Sequence, residues 1–269
     1  MTSAPPGSQP PSDSALGRSP FNSWLSRSSR DTRWLLRVVL RTILLTAAAA
    51  LLFGGTAFGF GSRAAIYGVQ VSVLLLVWLR VGNSLRSPRQ RIVLRGVRPR
   101  HFLIACMILT CVAAALGALL GGDTFLRWGW WSILGGSGNV ILGQAQGSGQ
   151  IVSDLILPIL IVTPLALSLG RFALYEERIF RRGDEKRGIG GRLSRSLVFG
   201  LAHLVMGIPI GAGIALGVGG FGFSQVYLRR WRKSASRYQS VLEAARVHVA
   251  YNFIIIGVAI AALVVQASS

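Results

Sequence analysis

Residues 196–228 read SLVFGLAHLVMGIPIGAGIALGVGGFGFSQVYL, 33 positions without a Lys, Arg, Asp or Glu. Arg195 precedes the run, and Arg229, Arg230, Arg232, Lys233 and Arg237 follow it. The run exceeds the ~20 residues that one bilayer-crossing helix needs and falls short of ~40 for two. A single crossing would put basic clusters on both sides of the membrane, against the bias of Lys and Arg towards one side. An out-and-back hairpin broken at Gly207-Ile-Pro209 restores that bias. It requires at least one half-depth helix, which non-helical backbone inside a protein cavity permits. The many glycines allow close helix packing.

Outward from this run the same reasoning partitions the chain. Residues 1–33 are rich in Ser, Pro and Arg and are expected to be a disordered tail. The tail is not read as a cleavable signal peptide, because its apolar core begins too far in and is interrupted by Arg37 and Arg41. Residues 42–62 carry no charge and form the first expected span, and residues 64–79, between Arg63 and Arg80, the second. Residues 80–100 hold seven arginines and no acid, as a cytoplasmic loop would. Residues 101–122 are the third span. Residues 123–150 carry Trp128, Trp130 and Trp131 and read as an outer loop with an aromatic interfacial anchor. Residues 151–175 are the fourth span, kinked at Pro158 and Pro164. The hairpin follows, and residues 247–266 are the last span. The expected fold is all-α, a polytopic transmembrane bundle of about seven spans with a cytoplasmic N-terminus. Residues 34–150 would be the N-terminal helices and 151–269 a C-terminal transmembrane core.

Composition agrees with this class. The 269 residues are 51% hydrophobic, with a mean hydropathy of +0.53. The 29 basic residues against nine acidic ones give a net charge of +20. The basic residues cluster at the ends of apolar segments rather than on a polar domain, and no aromatic-basic module accompanies them, which argues against a nucleic-acid partner. Anionic lipid headgroups at the basic loops are the expected partners. Cys106 and Cys111 lie five apart in one apolar segment and do not face each other, so a mutual disulfide is not expected. The preponderance of Arg over Lys points to a GC-rich bacterial genome and hence to a bacterial plasma membrane.

Polar chemistry inside the apolar segments is sparse. Glu176 and Glu177 are adjacent where residues 151–175 end, and such carboxylates cost roughly 2.5–3.5 kcal/mol each at the bilayer centre. Arg181 lies four residues after Glu177, so an intrahelical ion pair can hold one carboxylate. Glu176 points about 100° away around the helix, and its closeness to a second acid suits a general base. His203 and His248 each follow a basic cluster by a few turns, at similar depth. Asn252, four residues after His248, shares its helix face. His101 opens a span beside Arg100 and is read as an interfacial residue.

Three short patterns carry a resemblance: Glu176-Glu177-Arg178-Ile179-Phe180-Arg181, Phe199 to His203, and His248 to Asn252. They resemble, in order, the Glu-Glu-x-x-x-Arg, Phe-x-x-x-His and His-x-x-x-Asn motifs of the CPBP intramembrane protease family, also called the Abi or type II CAAX prenyl endopeptidase family. The resemblance covers residues 151–266. It implies an endopeptidase acting on membrane-associated peptides or proteins. Glu176 would activate a water with help from His203, His248 and Asn252 would stabilise the oxyanion, and Glu177, Arg181 and Phe199 would support the geometry. No cofactor is expected. A zinc ion on Glu176, His203 and His248 is the alternative, since two His and one Glu form a zinc donor set, although no His-Glu-x-x-His motif occurs. Rival function classes are a non-proteolytic membrane scaffold or bacteriocin-immunity protein that keeps the fold, and a transporter using the acids as proton relays.

Overall fold

A computed structural model describes residues 62–122, 125–133 and 156–268. The expected tail at 1–33 and all but the last residue of the expected span at 42–62 lie outside them. Among the described residues every regular element is helical: α1 (Ser62–Leu85), α2 (Pro88–Arg95), α3 (Pro99–Leu120), α4 (Trp130–Ile133), α5 (Leu157–Phe180), α6 (Ile189–Ala202), α7 (Ile210–Ser234) and α8 (Arg237–Ser268). Short 3₁₀ turns occupy Phe125–Arg127, Asp184–Lys186 and His203–Met206. Five of the helices, α1, α3, α5, α7 and α8, are long and apolar enough to cross a membrane. The architecture is that of a multi-pass membrane protein.

The hairpin contains the half-depth helix expected of it. Its first arm, α6, has 14 residues, about 21 Å at 1.5 Å per residue, against a hydrocarbon core of ~30 Å. Its second arm, α7, has 25 and is a full candidate span. The chain reverses at Gly207, whose φ of +78° is in the left-handed region that glycine adopts without strain. Pro209 then caps α7. The break is braced by the tryptophan segment: the Ile210 amide donates to the Trp128 carbonyl at 2.9 Å, and Trp130 Nε1 donates to the Leu204 carbonyl at 2.8 Å. Trp131 is buried. The expected aromatic anchor is therefore, at Trp130 and Trp131, a packing element rather than a free interfacial belt.

Other boundaries shift as helix physics requires. α1 runs past Arg80, and residues 88–95 of the expected loop form α2, with proline at its first turn. Pro158 lies in the first turn of α5 and starts rather than kinks it, while Pro164 lies inside. α8 begins at Arg237, well before residue 247. His101 is fully buried rather than interfacial. The Arg98 amide donates to its Nδ1 at 2.8 Å, so Nε2 carries the hydrogen that faces Glu243 Oε1 at 3.3 Å. It caps α3 and ties it to α8.

Two apolar clusters form the core. One joins α2, α5, α7 and α8 through Val93, Leu169, Ala173, Tyr227, Val241 and Val249. The other joins α3, α6, α7 and α8 through Ile108, Val112, Phe199, Phe223, Ala250 and Tyr251. α6 and α7 approach backbone to backbone, because a Cβ on Gly200 would collide with the Gly213 carbonyl and the Gly217 amide. Gly200→Val is expected to destabilise by at least the 1–3 kcal/mol typical of overpacking. Thermal unfolding in detergent micelles measures it, with Gly82→Ala, which meets open space, as the control.

Candidate active site

α5 carries Glu176, Glu177 and Arg181 in its last turn and at its C-cap. The acids lie within the helix, so one turn of α5 presents both carboxylates towards α8. The C-terminal carbonyls of α5 are held from α6: Arg195 Nε donates to the Phe180 carbonyl at 3.0 Å, and Nη2 to that of Ile179. The turn that follows is fastened to α7 and α8. Ser224 Oγ donates to Asp184 Oδ2 at 2.6 Å, Tyr227 Oη to Glu185 Oε2 at 2.8 Å, and Arg237 Nε to Glu185 Oε1 at 2.5 Å. The acid-bearing turn of α5 is thereby fixed against three helices.

At its centre His248 of α8 meets both carboxylates. Its Nδ1 lies 2.9 Å from Glu177 Oε1 and its Nε2 3.5 Å from Glu176 Oε2. A carboxylate only accepts, so Nδ1 carries a hydrogen towards Glu177 and the chemistry of the ring resides at Nε2. Arg181 adds an ion pair to Glu177, Nε to Oε2 at 3.5 Å. Glu177 and Arg181 are both completely buried, whereas the Glu176 side chain keeps 25% of its exposure. The adjacent acids thus differ in kind: one is sealed between a guanidinium and an imidazole, and the other opens to the outside.

Aromatic rings fix the imidazole. Phe223 of α7 stacks on His248, with centroids 4.5 Å apart and planes 18° from parallel. Phe199 of α6 presents T-shaped contacts to His248 at 5.8 Å and to His203 at 4.9 Å, and the Arg181 guanidinium lies 4.8 Å from the Phe199 ring centre. Gly220 leaves room for this stack, since a Cβ there would come within 2.8 Å of Arg181 Nη2 and of the Phe199 ring. Arg181 Nη1 also reaches Ser196 Oγ at 3.4 Å.

Of the residues singled out from the sequence, Glu176, Glu177, Arg181 and His248 are in direct contact, and Phe199 links His248 to His203. His203 opens the 3₁₀ turn that follows α6. Its Nδ1 lies 2.9 Å from the Phe199 carbonyl, so that nitrogen carries the hydrogen and Nε2 keeps its lone pair. Among the described residues neither His203 nor the half-buried Asn252 forms a hydrogen bond or ion pair with the two acids. The zinc alternative fits poorly: no three His, Cys, Asp or Glu among the described residues are placed to hold a metal ion, and His248 has each nitrogen turned to a carboxylate. Phe223, Ser196 and Gly220 were not singled out from sequence. The glycine enrichment of residues 196–228 reads from sequence as close helix packing, which does not by itself point to Gly220.

Removing one member of a buried ion pair leaves an uncompensated charge at a cost of about 3–5 kcal/mol. Arg181→Met is expected to destabilise by that order in denaturant unfolding in micelles. The double variant Arg181→Met/Glu177→Leu should lose clearly less than the sum of its two single changes. Additive losses would show that the two groups do not depend on each other. No family model, curated protein or solved structure matches the chain, and the cluster is interpreted on its own geometry.

Proposed function

We propose that the chain is an intramembrane endopeptidase that hydrolyses peptide bonds of membrane-associated peptides or proteins, as the resemblance to the CPBP proteases implies. The observation that carries this reading is His248 held between two adjacent carboxylates, one sealed and one open. A purely structural ion pair has no use for the second, accessible acid.

In this reading Glu176 is the general base. The open carboxylate takes one proton of a water while His203 Nε2 accepts a hydrogen bond from the other hydrogen, which stays on the oxygen, and the water oxygen bonds to the carbonyl carbon of the substrate. The carbonyl electrons move to oxygen. That oxyanion is met by Nε2–H of a protonated His248 and by the Asn252 amide, both donors in a site with little water. The C–N bond then breaks, and the proton on Glu176 passes to the departing nitrogen, giving a carboxylic acid and an amine. Glu177 and Arg181 are positioning residues, because Glu177 fixes the Nδ1 hydrogen of His248 and Arg181 fixes Glu177. No step uses a metal. The basic clusters that flank these segments would lie on the cytoplasmic side, so cleavage would occur in the cytoplasmic leaflet.

The test uses the purified chain in vesicles with quenched fluorescent peptides, with and without a C-terminal prenyl group. Glu176→Gln is expected to lower kcat by about 10²–10⁴-fold, the usual range for a general base. The melting temperature should stay near that of the parent, because the side chain is partly exposed. Undiminished hydrolysis by this variant would overturn the role of Glu176. A parent chain that cleaves none of the peptides, but whose cellular activity survives both Glu176→Gln and His203→Ala, would favour the scaffold or immunity reading.

A further inference from the structure

On the face of α7 turned away from His248, α7 and α3 part to leave a groove of about 690 Å³. Its walls are two helix faces. α3 contributes Leu103, Met107 and Cys111, and α7 contributes Val218, Phe221 and Gly222. Gly222 forms the floor, where a Cβ would come within 2.8 Å of Ile108. Leu103 and Met107 are about 70% exposed, so this apolar wall has no protein cover among the described residues.

The groove is apolar at one end and cationic at the other. α3 and α7 meet with the start of one beside the end of the other, which gathers Arg100, Arg229, Arg230 and Lys233 at a single mouth. The one acid there, Glu243, is already engaged by Arg100 at 2.8 Å and by Arg246 at 3.4 Å. Arg229 and Lys233 are exposed, one turn apart on the same face, and form no ion pair among the described residues. By contrast, two of the loop arginines expected from sequence to meet lipid are committed within the protein: Arg187 to Asp184 and Arg195 to the end of α5. From Arg100 to Cys111 the groove runs about 17 Å along α3 at 1.5 Å per residue, close to half of a ~30 Å hydrocarbon core.

We propose that this groove is a binding site for one anionic phospholipid, with its phosphate at the uncommitted Arg229 and Lys233, beside Arg100, which is paired with Glu243, and Arg230, which bonds Gln239, and an acyl chain between α3 and α7. Charge complementarity at the mouth and a depth of one leaflet select this occupant over a helix, which would need no cationic mouth. The site is independent of any catalytic role of Glu176.

Native mass spectrometry of the full chain, released from mixed vesicles of phosphatidylglycerol and phosphatidylcholine with identical acyl chains, tests the assignment. The expected result is one retained phosphatidylglycerol in clear preference to phosphatidylcholine. Arg229→Gln/Lys233→Gln should reduce that retention by at least about tenfold, since each basic residue near an anionic surface contributes close to a factor of five. Cys111→Trp, which fills the apolar part, should reduce retention of both lipids, whereas Lys186→Gln should leave it unchanged. Equal retention of the two lipids, or retention indifferent to the charge variant, would overturn the proposal. So would displacement of the lipid by glycerol phosphate at similar concentration, which would mean that the headgroup alone is bound. A second copy of the chain on this face, seen as a dimer whose formation excludes lipid, would overturn it as well.

Discussion

A carboxylate with no solvent exposure, in a helix that runs through an apolar bundle, must be compensated from every side or it will not fold there. Glu177 is that carboxylate, and much of the surrounding structure serves to satisfy it. Arg181 comes from the same helix one turn on, and His248 from α8. Arg181 in turn needs space and partners, which α6 and α7 supply as Ser196, the Phe199 ring and the missing side chain at Gly220. A glycine in a helix interior costs about 1 kcal/mol relative to alanine. Here the cost allows a guanidinium to lie between helices. The glycine-rich run is thus tied to the acid 43 residues before Gly220 as well as to the packing of α6 on α7.

The hairpin is asymmetric because α6 ends at Ala202, where the backbone passes into a 3₁₀ turn at His203 and reverses at Gly207. Stopping a helix at that depth exposes carbonyls with no water to receive them. The tryptophan segment answers this, with Trp130 donating to the Leu204 carbonyl and the Trp128 carbonyl accepting from Ile210. The segment after α3 therefore helps to hold the turn that His203 begins.

How much of this was legible in sequence varies with the range of the interaction. Spacings within one helix were readable: Glu177 with Arg181 forms the expected ion pair across one turn, and the uncharged run 196–228 does break at Gly207 and contain one half-depth arm. Contacts between helices were not. The stacking of Phe223 on His248 depends on the rotation of α7 about its axis, which apolar periodicity leaves open when the whole helix is apolar. His101 looked interfacial because it adjoins Arg100 at a span boundary. Its burial comes from a partner, Glu243, 142 residues later. Which arm of the hairpin stops short was not readable either, since the bias of basic residues fixes which side a segment ends on but not how deep it goes.

The least expected feature is the divergence of two identical neighbours. From sequence the pair divided simply, with Glu177 engaged by Arg181 and Glu176 left to face elsewhere. In the structure both reach the same imidazole, one at each nitrogen. What separates them is the 100° between successive residues on a helix, which turns Glu177 into the bundle and Glu176 towards its surface. The inner acid, held by Arg181, orients the ring and sets which nitrogen bears hydrogen. The outer acid, partly exposed, faces the other nitrogen. One histidine can thus join a sealed carboxylate to an exposed one, and that arrangement needs adjacent acids: at a spacing of four, both would have pointed to the same side.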